Sequence, residues 1–283
     1  MQYIPHEYQK YATEKIIELP ACALFMEMGL GKTVSTLTAI NELIYDRFEV
    51  QKVLVIAPYR VADDTWTTEA DKWDHLKHLR VSKVLGTSGE RIAALEADAD
   101  IYVINRENVT WLVNLMGKEW PFEMIVVDEL SSFKSNSAKR FKSLRIVRPL
   151  ARRFVGLTGT PAPNGLLDLW PQVYLIDRGE RLGKTYTGYK DRYFLPDRRN
   201  GFVVYSWTPK EGAKEAIEQK LSDICISMKA DDYLNLPAQI VNDVYVSMDR
   251  HEMRKYRELE KEKLLELDGK EITAPVSYTH LTL

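Results

Sequence analysis

The amino-acid sequence predicts an α/β protein in which helices cover both faces of a parallel sheet. Short apolar segments of strand length recur along residues 1–160, and segments with helical spacing separate them. Glycine-rich or acidic residues follow directly after several of these strands. Continuous apolar strands are typical of parallel sheets because helices bury them from both sides. We therefore expect functional residues at the carboxyl ends of the strands, where open α/β sheets bind their ligands.

The predicted elements follow one another along residues 1–177. Apolar residues at helical spacing indicate a first helix within 5–19, and further helices are expected at 34–45 and 62–73. The predicted strands are the apolar runs at 21–26, 53–57, 101–104, 124–127 and 154–157. This alternation ends near Asp177, so residues 1–177 are expected to form the first domain.

The remainder of the chain has a different composition. Charged residues, glycine and tyrosine dominate 178–206, and residues 178–237 are expected to form a helical or irregular extension. A strand at 240–248 and a helix from Asp249 to Leu267 predict that a second, incomplete domain begins over 238–275, because one strand and one helix bury no core. Residues 276–283 continue no pattern, and we predict that they are a non-native tail.

The composition excludes several classes of protein. The 283 residues are 45 % hydrophobic and 28 % charged, which is typical of globular chains. Lys and Arg total 39 and Asp and Glu 41, and this net charge of −2 excludes a generally basic coat but not a local basic face. Cys22 and Cys225 lack metal-ligand spacing, and no apolar run approaches the roughly 18 residues of a membrane span. No secretory signal is visible, so we expect no membrane partner and a cytoplasmic location.

A glycine-rich segment lies between the first strand and the helix after it. Its residues are Met28, Gly29, Leu30, Gly31, Lys32 and Thr33. In this context backbone N–H groups can cradle phosphates, the lysine can reach the β- and γ-phosphates, and the threonine hydroxyl can bind Mg²⁺. Met26 stands where the strict phosphate-loop pattern has glycine. The alternative interpretation is a turn that merely joins strand to helix.

An acidic pair, Asp128 and Glu129, follows the apolar strand at 124–127. Phosphoryl transfer needs one carboxylate that holds Mg²⁺ and one group that orients or deprotonates the attacking water. We assign the first role to Asp128 and the second to Glu129, and Lys32 completes the predicted catalytic set. Taken alone, such a pair is also compatible with a solvated strand end.

Threonines mark a third strand end. Thr158 and Thr160 follow the run at 154–157, where their hydroxyls can hydrogen-bond both the acidic pair and a ligand beside it. A proline, an asparagine and a Leu-Trp pair come next, at Pro161, Asn164, Leu169 and Trp170. In combination with the glycine-rich segment and the acidic pair, this third segment resembles the Swi/Snf-type branch of superfamily-two helicases, which are DEAD/DEAH-like ATPases.

The resemblance covers about residues 3–265 and carries its own expectations. It implies a RecA-like lobe, which is a P-loop NTPase fold, followed by the start of a second RecA-like lobe from about Leu236. It implies a motor that uses ATP and Mg²⁺ and moves along nucleic acid, specifically double-stranded DNA. It further implies that Gln9 reads the adenine, and that the nucleic-acid backbone is contacted or coupled to ATP by Pro58, Arg60, Asn105, Arg106, Thr158 and Thr160.

Two departures from the family pattern affect these expectations. The family commonly continues the acidic pair with Ala-His, whereas this chain has Leu130 and Ser131, and the serine can still donate a hydrogen bond. The arginines of the family's second lobe have no counterpart after Asp249. An arginine finger contributes on the order of a thousandfold or more in turnover, so the chain by itself is expected to bind ATP more readily than it hydrolyses it. The alternative is therefore a non-catalytic, nucleotide-gated nucleic-acid-binding module.

Other features remain open between a functional and a structural interpretation. Residues 134–153 hold eight basic and no acidic residues, which suits either a phosphate-backbone face or a solvated helix face. Trp66 and Trp73 are seven residues apart and are predicted to be core residues. A phosphate-loop GTPase is disfavoured because the sequence has no Asn-Lys-x-Asp guanine reader, and a kinase because it has no arginine-rich lid.

Overall fold

The computed structural model describes residues 1–197, 199–200, 203–204 and 206–233, and beyond them 249, 252–254, 256, 264–267 and 270–273. The chain divides into two compact units, Met1–Asn235 and Leu236–Leu283.

The described part of the first unit alternates strands and helices. In chain order they are α1 (Glu7–Glu18), β1 (Ala21–Met26), α2 (Lys32–Asn41), β2 (Val53–Ala57), α3 (Trp66–Lys72), β3 (Val81–Val84), α4 (Ser88–Glu96), β4 (Ile101–Asn105), α5 (Val109–Met116), β5 (Met124–Asp128), α6 (Lys139–Val147), β6 (Arg153–Thr158), α7 (Leu169–Asp177), α8 (Tyr186–Tyr193), β7 (Phe194–Pro196), β8 (Arg199–Asn200), β9 (Val203–Val204), β10 (Trp207–Pro209), α9 (Ala213–Leu221), β11 (Cys225–Met228) and α10 (Ala230–Tyr233). Single π-helical turns follow α2 and precede α3, at Glu42–Asp46 and Val61–Thr65.

The predicted parallel sheet is confirmed. Within the described residues it has seven strands in the order β11-β1-β6-β5-β2-β4-β3, and each neighbouring pair is parallel. Side chains alternate between its two faces: Ala23 of β1 belongs to a core packed by α5, α6 and α7, whereas Cys22 and Leu24 belong to a core packed by α1, α2 and α3. Both faces are therefore covered by helices, as the continuous apolar strands predict.

The central strands lie where the sequence predicts them. β1 and β2 have the predicted bounds, and β4, β5 and β6 are extended by one or two residues. Two strands of the sheet, β3 and β11, are absent from the prediction. Both are edge strands, and in β3 the side chains of Val81, Ser82 and Lys83 are not fully buried, so the segment lacks the continuous apolar run of the central strands.

The boundary expected near Asp177 does not coincide with the edge of the first unit, which extends to Asn235. β11 comes from the segment 178–237, expected to be an extension, and it pairs with β1 in parallel, with Ala23 opposite Cys225. The extension therefore supplies an edge strand to the sheet of the first lobe. Within the same segment, β7 and β10 form an antiparallel pair.

In the second unit the structure describes a few short pieces. Asp249 and Glu252 each accept a hydrogen bond from the other's backbone N–H, at 2.8 and 3.1 Å, which is a capping-box arrangement at the predicted helix start. The helix expected to reach Leu267 does not: Leu264–Leu267 is a strand, β12, paired antiparallel with β13 (Lys270–Thr273). Residues 264–267 pair with the adjacent strand β13 instead of continuing the predicted helix. The strand expected at 240–248 and the tail at 276–283 lie outside the described residues.

None of the helices in the described part of the chain is long and apolar enough to cross a membrane.

A buried carboxylate immediately before β4 yields a stability prediction. Asp100 accepts hydrogen bonds from the backbone N–H and Nη2 of Arg80, at 2.8 and 2.7 Å, and from the Tyr45 hydroxyl at 3.0 Å. Burial raises the pKa of Asp100, but these hydrogen bonds and the charge of Arg80 outweigh it, so the pKa lies below its usual value. Asp100→Asn should lower the free energy of unfolding by about 2 kcal/mol at pH 7, measured by denaturant titration.

A matched control and a pH series test this. Asp98 also pairs with Arg80, but its side chain is 86 % exposed, so Asp98→Asn should cost less than about 1 kcal/mol. Because folding depresses the pKa of Asp100, its stabilisation is present above the unfolded-state pKa of about 3.9 and is lost as the pH falls through the lower folded-state value. Equal losses in the two variants would contradict the assignment.

Candidate functional site

The candidate site lies where three neighbouring strands end. In the sheet order β1-β6-β5, the carboxyl end of β1 leads into the glycine-rich segment, that of β6 into Thr160, and that of β5 into the acidic pair. In sequence the glycine-rich segment lies about a hundred residues before the acidic pair, and the acidic pair about thirty before Thr158, and the parallel sheet brings all three to one edge.

The glycine-rich loop has the backbone that its glycines permit. Gly29 and Gly31 have φ values of +85° and +78°, a region that residues with a side chain rarely adopt. Gly31 is the N-cap of α2, so Lys32 and Thr33 occupy the first turn of that helix. The positive end of the helix dipole and its unpaired N–H groups therefore face the same edge of the sheet.

Lys32 folds back over this loop. Its Nζ donates to the carbonyl oxygens of Met26 and Glu27, at 2.7 and 3.1 Å. Burial lowers the pKa of Lys32, and the negative charges of Asp128, Glu129 and Glu27 act in the opposite direction. A partly buried ammonium held mainly by carbonyl oxygens is in a position to exchange them for a polyanion.

A cavity of about 550 Å³ opens beside the loop. That volume is within the range of small-molecule and cofactor sites. The predicted residues Gln9, Met28, Gly29, Gly31, Lys32, Thr33 and Asp128 line it, together with Tyr3, Ile4, His6, Val34, Val61, Thr65, Glu69, Lys72 and Trp73. Leu30, also predicted, is fully buried in the core instead, and its carbonyl oxygen faces Gln9.

Asp128 is the member of the acidic pair that lines the cavity, whereas Glu129 is not among the lining residues. Its Oδ2 accepts a hydrogen bond from the indole N–H of Trp66 at 3.1 Å, and its Oδ1 accepts from the backbone N–H of Glu129 at 3.0 Å. Burial raises the pKa of Asp128, while these two hydrogen bonds and the charge of Lys32 lower it; the net shift is upward. This partly buried, oriented carboxylate suits a partner with concentrated positive charge.

Glu129 is held by two hydroxyl groups. It has a positive φ of +56°, and its Oε1 accepts hydrogen bonds from the Ser131 hydroxyl and, at 3.0 Å, from the Thr158 hydroxyl. The Thr158 oxygen in turn accepts from the backbone N–H of Thr160 at 3.1 Å. The expected link between the third strand end and the acidic pair is therefore present, and Ser131 makes the hydrogen bond expected of it.

The side-chain amide of Gln9 makes hydrogen bonds to other residues of the chain. Its Oε1 accepts from the backbone N–H of His6 at 3.0 Å and from the Tyr3 hydroxyl at 3.4 Å. Its Nε2 donates to the carbonyl oxygen of Leu30 at 3.3 Å. Gln9 thus connects the start of α1 to the glycine-rich loop while it lines the cavity.

The predicted nucleic-acid residues differ in accessibility. Arg60 follows β2 and is exposed, and Pro58 beside it is half-buried. Asn105 is buried: its Nδ2 donates to Glu107 at 3.0 Å and its Oδ1 accepts from Asn108 at 2.6 Å. Arg106 pairs with the same Glu107 at 2.9 Å. The side chain of Arg60 is thus exposed to a ligand. Asn105 and Arg106 both contact the carboxylate of Glu107, a residue that the sequence analysis did not single out.

The basic segment at 134–153 is partly structural. Arg148 is buried and donates to the carbonyl oxygens of Leu175, Ala151 and Ile176. Arg153 is buried too, and it donates to carbonyl oxygens at the end of α1 and pairs with Glu49 at 2.8 Å. Arg152 pairs with Glu123. The basic residues exposed on α6 are Lys139, Lys142 and Arg145.

The sequence analysis missed the polar contact of one tryptophan and the cavity position of another. Trp66, predicted to be core, is fully buried, and it also reaches Asp128 through its N–H group. Trp73, also predicted to be core, lines the cavity and contacts Tyr3 edge-on at 5.1 Å between ring centres. A tryptophan carries a polar N–H on an apolar ring, so its burial is itself a signal that a hydrogen-bond acceptor lies nearby.

The acidic residues of the described part of the chain do not form a complete metal cage, since no group of three or more potential ligands converges there. Mg²⁺ does not require one, because it commonly binds one or two protein oxygens and completes its shell with phosphate and water. The Asp128 carboxylate and the Thr33 hydroxyl, which both line the cavity, fit that donor set.

The fold defines the class of protein first. The chain superposes on the Sulfolobus solfataricus SWI2/SNF2 ATPase core in complex with dsDNA with a TM-score of 0.67, at 23 % identity, covering 92 % of this chain and 53 % of that one. A second structure, the Sulfolobus solfataricus SWI2/SNF2 ATPase core domain, matches with a TM-score of 0.64, at 24 % identity, covering 92 % of this chain and 52 % of that one. The fold is therefore the RecA-like α/β fold of these ATPase cores, as predicted.

The family follows from the sequence comparisons. A profile of the SNF2-related domain matches residues 8–282. Protein p41 of Acyrthosiphon pisum secondary endosymbiont phage 1 is 37 % identical over 278 residues, which are 96 % of this chain and 60 % of p41. The Bos taurus DNA annealing helicase and endonuclease ZRANB3 is 28 % identical over 233 residues, 77 % of this chain and 20 % of that protein. The chain belongs to the SNF2-related domain family, so the predicted resemblance is confirmed, and it spans 60 % or less of the length of these relatives.

Proposed function

We propose that this chain is the nucleotide-binding lobe of an ATP-dependent motor that acts on double-stranded DNA. The observation that carries the proposal is the convergence of Lys32, Thr33 and Asp128 on one cavity, with the helix N-terminus behind the loop. These are the groups that triphosphate and Mg²⁺ binding require. When bound, Mg²⁺ would neutralise charge on the β- and γ-phosphates, and Asp128 and Thr33 would hold it.

In this proposal the chain's own residues divide the work. Lys32 leaves the carbonyl oxygens of Met26 and Glu27 for the phosphates, and Gln9 contacts the adenine. Glu129 orients or deprotonates the attacking water. Its hydrogen bonds to Thr158 and Ser131 set the direction of its carboxylate and tie it to the strand end that leads to Thr160.

The DNA part of the proposal has separate support. The superposed archaeal ATPase core was solved with dsDNA, and several curated relatives are named as DNA repair or DNA annealing proteins. In this chain Pro58 and Arg60 follow β2 at the same sheet edge as the cavity, and Arg60 is exposed there. A motor on DNA also requires access to both ATP and DNA, so we propose a cytoplasmic location.

The experiment that tests the function measures ATP turnover and nucleotide affinity with and without duplex DNA. DNA-stimulated turnover supports the motor. Tight, magnesium-dependent nucleotide binding that alters DNA affinity without turnover supports the nucleotide-gated binding module instead. Absence of nucleotide binding would overturn both, and stimulation by single-stranded RNA but not by duplex DNA would overturn the choice of DNA.

Arg60 provides a specific test of the DNA contact. If its guanidinium binds one backbone phosphate, Arg60→Ala should weaken binding to all duplex sequences alike. It should reduce the slope of log affinity against log salt concentration by about 1.

The control for Arg60 is Arg47→Ala. Arg47 is also exposed, but it lies before the amino end of β2, on the opposite edge of the sheet, where it pairs with Glu42. The Arg47→Ala substitution should leave the slope of log DNA affinity against log salt concentration unchanged. An unchanged slope in Arg60→Ala would remove Arg60 from the proposed interface.

A further inference from the structure

Trp66 lies between the proposed DNA contact and the proposed metal ligand. The chain leaves β2, turns at Pro58 with the Ala62 N–H bonded to the Pro58 carbonyl at 2.8 Å, and continues through one π-helical turn into α3. Trp66 is the first residue of α3 and is fully buried. Its indole N–H donates to Asp128 Oδ2 across 62 residues of sequence.

The geometry restricts the Asp128 carboxylate to one orientation. Oδ2 is fixed by Trp66 from the α3 side and Oδ1 by the Glu129 N–H from its own backbone. Each oxygen retains a lone pair for a further contact, and Asp128 lines the cavity. Removing the indole N–H would release Oδ2 and leave the Glu129 N–H as the remaining hydrogen bond that orients the carboxylate.

We propose that Trp66 is a positioning residue that holds Asp128 in the orientation that binds Mg²⁺ together with nucleotide. The inference rests on the proposed function, since it takes Asp128 as the magnesium ligand. Groups that orient a metal ligand from behind typically affect metal affinity by 10- to 100-fold when they are removed. Trp66 would then act on magnesium-dependent affinity rather than on nucleotide affinity as such.

The first test follows the indole N–H groups themselves. The chain has six tryptophans, so a proton–nitrogen correlation spectrum of the whole protein should contain six indole signals. The Trp66 signal should shift when Mg²⁺ is added to the nucleotide complex, and Mn²⁺ should broaden it most strongly of the six. Single Trp→Phe variants at the other five positions assign their signals, so the sixth signal is assigned to Trp66 even if a Trp66 variant fails to fold.

The second test is Trp66→Phe, which removes the N–H group and keeps an aromatic ring. A fluorescent ATP analogue should bind the variant and the wild type with similar affinity in excess EDTA. Addition of Mg²⁺ should tighten binding about tenfold less in the variant than in the wild type. The matched control is Trp111→Phe on α5, on the opposite face of the sheet, where the ring lies 4.2 Å from the Arg91 guanidinium.

The outcomes separate this inference from the proposed function. If the wild type binds no nucleotide, the proposed function fails. If the wild type shows magnesium-dependent binding, but Trp66→Phe shows the same dependence and the Trp66 signal does not respond to Mg²⁺, then Trp66 is a packing residue and the inference is overturned. An equal loss in Trp111→Phe would also overturn it.

Discussion

Replacing Lys32 with alanine should abolish most of the nucleotide chemistry of this chain. The substitution removes the one lysine of the glycine-rich loop, whose partly buried ammonium is the proposed phosphate ligand. Loss of a hydrogen bond to a charged group costs about 1.5–3 kcal/mol, so nucleotide affinity should fall roughly 10- to 150-fold. Turnover should fall about 10²- to 10³-fold, as expected when a donor to developing charge is lost.

Thermal unfolding with and without Mg-ATP measures the binding part of this expectation. A ligand at 100 times its dissociation constant stabilises the folded state by about 2.7 kcal/mol, and Lys32→Ala should lose most of that gain. Lys118→Ala is the control, since this lysine is exposed after α5 and does not line the cavity. Full stabilisation of the Lys32 variant by Mg-ATP would place the phosphates elsewhere.

Replacing Glu129 with glutamine should separate binding from turnover. The amide oxygen can still accept the hydrogen bonds of Thr158 and Ser131, so the local structure should persist. An amide cannot accept a proton from water, and loss of a general base typically costs 10²- to 10⁴-fold in rate. We therefore expect turnover to fall by that factor, while the dissociation constant for Mg-ATP changes by no more than a few-fold.

Rapid-quench turnover and equilibrium binding measured on the same preparation check this result. Glu27→Gln removes the same charge from an exposed carboxylate near Lys32 that does not line the cavity, and it should leave the rate nearly unchanged. If Glu129→Gln keeps the wild-type rate, another group activates the water. If it loses nucleotide affinity as severely as rate, Glu129 has a structural role.

The arrangement around Glu129 also suggests why the chain tolerates Ser131 after its acidic pair. A hydroxyl at this position reaches the same carboxylate oxygen as the Thr158 hydroxyl. The hydrogen-bonded path from Thr160 through Thr158 to Glu129 therefore does not depend on a histidine. The serine hydroxyl reaches the carboxylate directly, and Glu129, at a positive φ of +56°, stands immediately before the turn that contains Ser131.

The amino-acid pattern was sufficient for the features that depend on neighbouring residues. β1 and β2 have the predicted bounds because each is a continuous apolar run between polar or glycine-rich segments. The position of the glycine-rich loop, between a strand and the first turn of a helix, was evident for the same reason. The acidic pair could be placed at a strand end because the four apolar residues before it mark the strand.

The remaining features depend on contacts between segments that are far apart in sequence. The pattern of neighbouring residues does not predict such contacts. β11 joins the sheet because the edge of β1 has free hydrogen-bonding groups, although its own segment looks like an extension. Arg148 and Arg153 turn inward because unpaired carbonyl oxygens of other elements lie within reach of their guanidinium groups. Trp66 contacts Asp128 because α3 packs on the face of the sheet that also buries Met124 and Val126 of β5, and this packing brings a predicted core residue to the proposed metal ligand.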